Sequence, residues 1–440
     1  MGFLVFKGGI HPPDKKSLSS DKPVAEAKQP DFVVIPLSQH IGAPCKPVVS
    51  IGQEVKKGEM VGEATGFVSA PVHSSVSGKV TAIAEFPNAM GRMVSSIVIE
   101  NNGREEWILL KDNPDFMNLS GEEMKAKIKD AGIVGMGGAT FPTVVKLSPP
   151  KEKPIDTVII NGAECEPYLT GDYRLMIEHP KEILDGLKIL MKVLGVTKGF
   201  VGIEDNKPAA LQSMKDAAGG LDGIEICSLH TRYPQGAEKM LIKAVTGREV
   251  PPRALPMDVK VVVQNTGTTR AVFEAVRYGK PLIDRVVTVS GEGIKEPKNL
   301  LVKIGTLVSQ LIEECGGLSQ EGVKVLSGGP MMGFALSSLH LPVTKGTSGI
   351  VALTEKEIAH AESFSPCIRC GRCIDACPMG LMPLMLSVYS EKGFYEGAKE
   401  YGLFDCFECG CCTYACPSHI PLVQQFRAAK TFLRERQASR

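Results

Sequence analysis

Cys367-Ile-Arg-Cys370-Gly-Arg-Cys373-Ile-Asp-Ala-Cys377-Pro378 and Cys406-Phe-Glu-Cys409-Gly-Cys411-Cys412-Thr-Tyr-Ala-Cys416-Pro417 decide how the end of this chain folds. Both runs have the spacing C-x2-C-x2-C-x3-C-P, the pattern of two-cluster iron–sulfur proteins. Two residues between thiolates let a tight loop offer three corners to an iron–sulfur cube. The three-residue step carries the fourth cysteine away, and the proline turns the chain. In such paired runs the fourth cysteine ligates the other cluster. The expected ligands are therefore Cys367, Cys370, Cys373 and Cys416 for one [4Fe–4S] cluster, and Cys406, Cys409, Cys412 and Cys377 for the second. Structural zinc asks for only four ligands, favouring two cysteine pairs. Cys411 breaks no spacing and reads as a bystander.

Nine of the 13 cysteines fall between Cys367 and Cys416. A disulfide scaffold would spread them through a small secreted chain. The other four, Cys45, Cys165, Cys227 and Cys315, read as small buried hydrophobes. A length of 440 residues allows about three domains. With 43% hydrophobic and 22% charged residues the chain is neither disordered nor fibrous. Fifty Lys and Arg against 49 Asp and Glu leave a net charge of +1, which speaks against nucleic acid as a partner. No apolar run approaches the ~18 residues of a membrane span, and the start of the chain lacks a signal-peptide pattern. A cytoplasmic, water-soluble chain is expected. The basic stretch from Arg427 to Arg440 reads as a solvated helix end.

Four blocks make up a multidomain α/β chain. Residues 1–110 have Gly at turn positions between short β-prone runs, as in Ile51–Gly62 and Val76–Val80, and read as a small all-β unit. This unit resembles the barrel-sandwich hybrid of lipoyl and biotinyl carriers, with Ser69–His73 in the middle where a carrier would present its modified Lys. His11, His40 and His73 fit no local metal spacing. Residues 111–285 alternate strand and helix patterns: a Ser120–Glu123 capping box opening a helix to Asp130, strands at 156–160, 199–203 and 224–227, and a helix from Arg174 to Leu194. This β-α-β-α-β order implies a Rossmann-like parallel sheet with ligands at the C-terminal strand ends. Residues 286–345 form a small α+β unit with a helix near 307–314. From 346 to 440 the chain is expected to be helical and to carry the clusters.

Upstream of the cysteines, Gly135-Met-Gly137-Gly138-Ala-Thr-Phe141-Pro-Thr-Val-Val-Lys146 lies between two helical patterns. It is neither a P-loop nor a standard dinucleotide fingerprint. It does have the physics of phosphate binding: three glycines that expose backbone N–H groups, a following helix start, and Lys146 one turn in. The strand ending at Ile160 runs into Asn161-Gly-Ala-Glu164-Cys-Glu166-Pro167. Glu164 or Glu166 there is suited to a ribose hydroxyl or to helix capping. Tyr233-Pro-Gln-Gly236-Ala-Glu238 and Gln264-Asn265-Thr266 also follow predicted strands.

Together these four stretches resemble the flavin and NADH site of the flavoprotein subunit of respiratory complex I, followed in the same order by a β-grasp-like ligand-binding module and an iron–sulfur domain. With the N-terminal Phe6-Lys-Gly8-Gly9-Ile10-His11-Pro-Pro13, the whole chain resembles the RnfC subunits of ferredoxin:NAD oxidoreductase complexes. The resemblance implies noncovalent FMN, with its phosphate on Gly135, Gly137, Gly138 and Lys146. It places the isoalloxazine near Asn161, Glu164, Gly236 and Asn265, with Tyr233 and Thr266 in the same stretches, and Glu166 and Phe141 facing NAD(H). It also implies peripheral attachment, at the cytoplasmic face of the membrane, to other subunits of an electron-transport complex. Ala163, Ala237 and Leu255 depart from the complex I pattern, which has Asp, Glu and Lys there. A cobalamin reductase with related modules, or a flavin-free iron–sulfur scaffold, are the competing readings. The N-terminal segment opposes the first, and the glycine loop with Lys146 the second.

Overall fold

A computed structural model describes residues 5–358 and 364–438, without the side chains of 437 and 438. Residues 1–4 and Arg440, to which part of the reading of the two chain ends applies, lie outside the described residues. In the first block Val33, Val34 and Ile35 are fully buried in the strand Phe32–Pro36. That strand pairs antiparallel with Met93–Asn101, and Gly78–Pro87 and Glu54–Val55 complete the sheet. A second sheet joins Lys46–Pro47, Met60–Glu63 and Val72–His73. His40 Nε2 accepts the Ala70 N–H at 3.0 Å. Burial holds His73 at about 3, so it packs as a neutral group.

The second block builds a parallel sheet in the order Ile224–Leu229, Gly199–Glu204, Thr157–Asn161, Val261–Asn265. Val158, Ile159 and Ile160 are fully buried, as a central parallel strand requires. Register sets Asn265 directly beside Asn161 at the C-terminal ends of their strands. The Ser120 capping box forms and opens the helix Gly121–Asp130 as expected. The helix expected from Arg174 to Leu194 is instead two, Gly171–Glu178 and Pro180–Leu194. Pro180 has no N–H to continue the first, but it suits the first turn of the second. Ile183, Leu184, Leu187 and Leu190 bury that second helix along one face.

The third block forms a sheet in the order Ala25–Glu26, Lys298–Lys303, Asp284–Ser290, Gly349–Leu353, Lys324–Ser327, Phe334–Ala335. Gly349–Leu353 lies beyond residue 346, where the chain was expected to turn helical, and all five residues are buried. A short apolar run of this kind carries no periodicity that separates strand from helix. Ala25–Glu26 reaches the same sheet from the first block. In the last block the two cysteine runs fold alike. Arg369 and Glu408 have φ of 55° and 63°. The short helices Arg372–Asp375 and Cys411–Tyr414 start after Gly371 and Gly410, both in the left-handed region. Leu386, Phe426 and Leu433 fill the core between Pro383–Glu391 and Leu422–Ala438.

Lys345 joins three of these units. Its fully buried Nζ donates to Pro71 O and Gly132 O, both at 2.7 Å, and its N–H donates to Gln39 Oε1 at 3.0 Å. Burial lowers its pKa from 10.5 to about 7. Between those values the unfolded chain holds a proton that the folded chain has shed, so the residue's contribution to stability rises with pH. Lys345→Met is expected to abolish that slope. Its thermal unfolding midpoint, taken relative to wild type, should fall as pH is raised from about 7 to 10. A difference that stays constant over that range would mean that Lys345 keeps its proton in the fold.

Candidate functional site

The glycine loop is pinned at its base and open at its tip. Gly135 N–H donates to Phe141 O at 2.9 Å, and Met136 N–H to Thr268 Oγ1 at 2.8 Å. A Cβ on Gly137 would sit 3.1 Å from Asn265 Cβ, whereas one on Gly138 would meet nothing within 4 Å. Phe141 is half-buried at the loop's return. Thr143–Lys146 makes a single helical turn. Lys146 Nζ lies 2.9 Å from Glu238 Oε1 and 3.1 Å from Val263 O, so its charge is held by a carboxylate.

The strand ends close on this loop. Asn161 Nδ2 donates to Gly236 O at 2.7 Å, and Thr266 Oγ1 donates to Asn161 O at 3.1 Å. Asn265 caps the helix Thr266–Tyr278 through its Oδ1, and its Nδ2 donates to Asp172 Oδ2 at 2.6 Å. Gly236 N–H points to Cys165 Sγ at 3.3 Å. The structure thus brings Gly137, Asn161, Gly236, Asn265 and Thr266 together. Thr143 Oγ1, Gln235 Nε2 and Gln264 Nε2, one in each of three of these stretches, are buried without a hydrogen-bond partner. Open space at Gly138 and unanswered polar atoms in the neighbouring stretches fit a polar ligand such as FMN.

The two glutamates both accept backbone N–H groups. Glu164 accepts the N–H groups of Asp172 at 2.7 Å and Tyr173 at 3.1 Å, and so caps the helix Gly171–Glu178. Glu166 Oε2 accepts Met331 N–H at 3.1 Å, and Tyr233 OH stands 3.5 Å from its Oε1. Burial lifts Glu166 to about 7. Burial, and then the Glu164 carboxylate, raise Asp172. Asp172 and the buried Arg285, which burial lowers to about 10, lie near each other behind Asn265. The sequence reading passed over both. The acidic side chain at the start of the helix after the turn was the available sign for Asp172; nothing local marks Arg285.

The cysteines line two cavities. Cys367, Cys370, Cys373 and Cys416 line the larger, about 520 Å³, and Cys377, Cys406, Cys409 and Cys412 line the tighter one together with Cys411. The fourth cysteine of each run therefore faces the other run's cavity. Arg369 N–H approaches Cys367 Sγ, and Glu408 N–H approaches Cys406 Sγ, each at 3.4 Å. Sulfur donors around a cavity with N–H groups turned to sulfur suit iron–sulfur ligation. Cys367 and Cys370 are exposed, while Cys409 and Cys412 are buried. Lys430 Nζ donates to Cys406 O at 2.6 Å, and Lys430 and Arg427 both pair with Glu408. These two basic residues, read from the sequence as part of a solvated helix end, brace the second cysteine loop.

Four family matches cover these units in order. Residues 4–104 match the RnfC barrel sandwich hybrid domain, 128–274 the Nuo51 FMN-binding domain, 286–335 the SLBB domain and 366–420 the 4Fe-4S dicluster domain. A subunit of the proton-translocating ferredoxin:NAD(+) oxidoreductase complex of Clostridium ljungdahlii is 52% identical, over 97% of this chain and 93% of that protein. The chain belongs to the RnfC family. The corresponding subunit of the Na(+)-translocating complex of Acetobacterium woodii is 48% identical over 97% of this chain and 96% of that RnfC protein. Its counterpart in the ion-translocating oxidoreductase complex of Rhodobacter capsulatus is 48% identical over 98% and 84%. A solved NAD+-reducing [NiFe]-hydrogenase shares 17% identity over 73% of this chain and 63% of that chain, at a TM-score of 0.51. That likeness is one of fold.

Within this RnfC chain Glu166 supplies a pH test. The folded chain holds its proton between 4.5 and about 7, where the unfolded chain has lost it, so stability drains as pH rises through that window. Glu166→Gln keeps an acceptor for Met331 N–H and removes the titration. Its unfolding midpoint relative to wild type is expected to climb from about pH 4.5 to 7. A flat difference across the window would show that Glu166 is ionised throughout.

Proposed function

We infer that this chain is the peripheral subunit through which a membrane-bound ferredoxin:NAD oxidoreductase exchanges electrons between NAD(H), FMN and two [4Fe–4S] clusters. Ion translocation belongs to the complex. The carrying observation is that one chain joins an FMN-binding domain to two cysteine-lined cavities. The names of its relatives, over nearly the whole chain, support NAD(H) as the nucleotide and the partner subunits as the other terminus. FMN, when bound, converts between the two electrons of a hydride and the single electrons that clusters carry.

The chain's own residues position and insulate; none serves as a general acid or base. Gly137 and Gly138 offer N–H groups to the FMN phosphate, with open space at Gly138, and Gly135, whose N–H is taken by Phe141 O, anchors the base of the loop. Lys146 supplies the nearby positive charge, kept in place by Glu238. Asn161, Gly236, Asn265 and Thr266 shape the flavin side, and Phe141 offers a ring beside the loop. Tyr233 leads into Gly236. Glu164, fixed by the helix start at Asp172 and Tyr173, stands on the flavin side, and Glu166, fixed by Met331 N–H, faces the nucleotide. Cys367, Cys370, Cys373 and Cys416 hold one cluster; Cys406, Cys409, Cys412 and Cys377 hold the second. No helix among the described residues is long and apolar enough to cross a membrane. The relatives' names, as subunits of a complex, support attachment at the cytoplasmic face through partner subunits.

Three experiments test this reading. Cys416→Ala is expected to lose about half of the iron and the cluster signal of the larger cavity, while Cys411→Ala keeps both signals. Loss of a cluster from the Cys411 variant would overturn the ligand sets. Gly137→Val drives a branched side chain toward Asn265 and should empty the flavin site with iron content intact. In stopped-flow absorbance NADH should bleach the flavin of the wild-type chain and then reduce its clusters. Clusters that reduce normally after FMN is stripped would remove the flavin from the route.

A further inference from the structure

We propose that the N-terminal strap Phe6–Ile10 and Tyr233 form a clamp that positions the second-run cluster against the flavin-side turn and makes it the cluster that exchanges electrons with the flavin. The proposal deepens the route above and rests on it. The strap runs between two units far apart in sequence. Gly9 N–H donates to Ala376 O at 3.0 Å, next to Cys377. Ile10 exchanges both backbone hydrogen bonds with Tyr233, at 2.8 and 3.0 Å. Tyr233 OH donates to Cys409 O at 2.7 Å. Two ligands of one cavity, Cys377 and Cys409, are thus tied to one tyrosine, the first through the strap and the second through the hydroxyl. Tyr233 stands three residues before Gly236, whose carbonyl holds Asn161.

The fit leaves no slack. A Cβ on Gly8, at φ +73°, would lie 2.6 Å from Cys377 O, and one on Gly9, at φ +81°, would lie 2.7 Å from Tyr233 O. Phe6 is buried, its carbonyl accepts Arg232 Nη1 at 3.3 Å, and the Arg232 guanidinium lies over its ring. Ile10, Tyr233, Cys409 and Cys411 form one buried cluster with Ala376. The larger cavity has no such tie to the flavin-side turn among the described residues, and its Cys367 and Cys370 are exposed. In the transfer itself the reduced flavin loses one electron and the second-run cluster gains it. Tyr233 is a positioning residue whose hydroxyl hydrogen bond draws charge from the Cys409 peptide and favours the reduced cluster.

Tyr233→Phe and Gly8→Ala test the clamp in the full chain, prepared anaerobically with FMN and iron–sulfur content measured. In redox titrations followed by EPR, Tyr233→Phe should shift the reduction equilibrium of the second-run cluster toward the oxidised form by about fivefold, the scale of one neutral hydrogen bond. The first-run cluster should titrate as in wild type. The second-run signal is assigned as the one missing from Cys406→Ser. Gly8→Ala should slow electron arrival at the second-run cluster several-fold after photoreduction of the flavin. Wild-type titration and transfer in both variants, or a first-run signal that appears first in the wild type, would overturn the clamp. If Gly8→Ala fails to load iron, Tyr233→Phe alone decides. The flavin is reduced by NADH in one arm and by light in the other. A failure confined to the NADH arm of the wild type counts against the nucleotide reading and leaves the clamp standing.

Discussion

The paired backbone of Ile10 and Tyr233 is the joint on which the arrangement of the flavin and cysteine units depends. Electron transfer of the kind inferred here asks little of side-chain chemistry and much of distance. A joint made only of apolar contact would let the two units slide; backbone hydrogen bonds fix register as they do in a sheet. The strap meets this demand from both edges, with Gly9 bonded to Ala376 and Ile10 to Tyr233. Buried N–H and C=O groups must find partners, so the strap satisfies its own backbone and that of the cysteine loop together. Side chains at Gly8 and Gly9 would prise the two apart.

Buried polar contacts at the other seams work in the same sense. Lys345 spans the β-barrel unit and the flavin unit through two carbonyls. Arg285 reaches Lys345 O and Met136 O from the third sheet. Glu166 takes Met331 N–H across from the same unit. Burying such groups is costly, and the cost is offset only where the partner lies in the right place. A misplaced unit would leave buried polar groups, and the Arg285 charge, unanswered. These contacts therefore select one arrangement of the units over looser ones, whatever they add to net stability.

What was legible in the sequence was local. The spacing of the cysteine runs implied a crossover, and the cavities group Cys416 with Cys367 and Cys377 with Cys406. Ser120 and Glu123 announce a helix start in the same way. Glu164 was open between ribose and cap because either needs only a carboxylate after a strand; the structure shows it capping the helix Gly171–Glu178. Gly349–Leu353 was missed because a buried strand between two others has no polar face to show. The meeting of Asn161 with Asn265 depends on strand order, which no local pattern encodes.

The same distinction explains why the N-terminal GGIHPP segment stood out as a motif yet said nothing of its task. Its glycines look like turn residues, and in isolation they would be. Their φ values are left-handed, but the nearest atoms are Cys377 O and Tyr233 O, from units that the sequence places hundreds of residues away. A glycine that permits a turn can be replaced when the turn relaxes. A glycine that lets two backbones touch cannot, because the space is fixed by what lies on both sides. Where a reaction depends on the distance between cofactors, close backbone approach is what holds the units at one separation. Gly8 and Gly9, rather than any acid or base, are then the residues on which the reaction's geometry most directly bears.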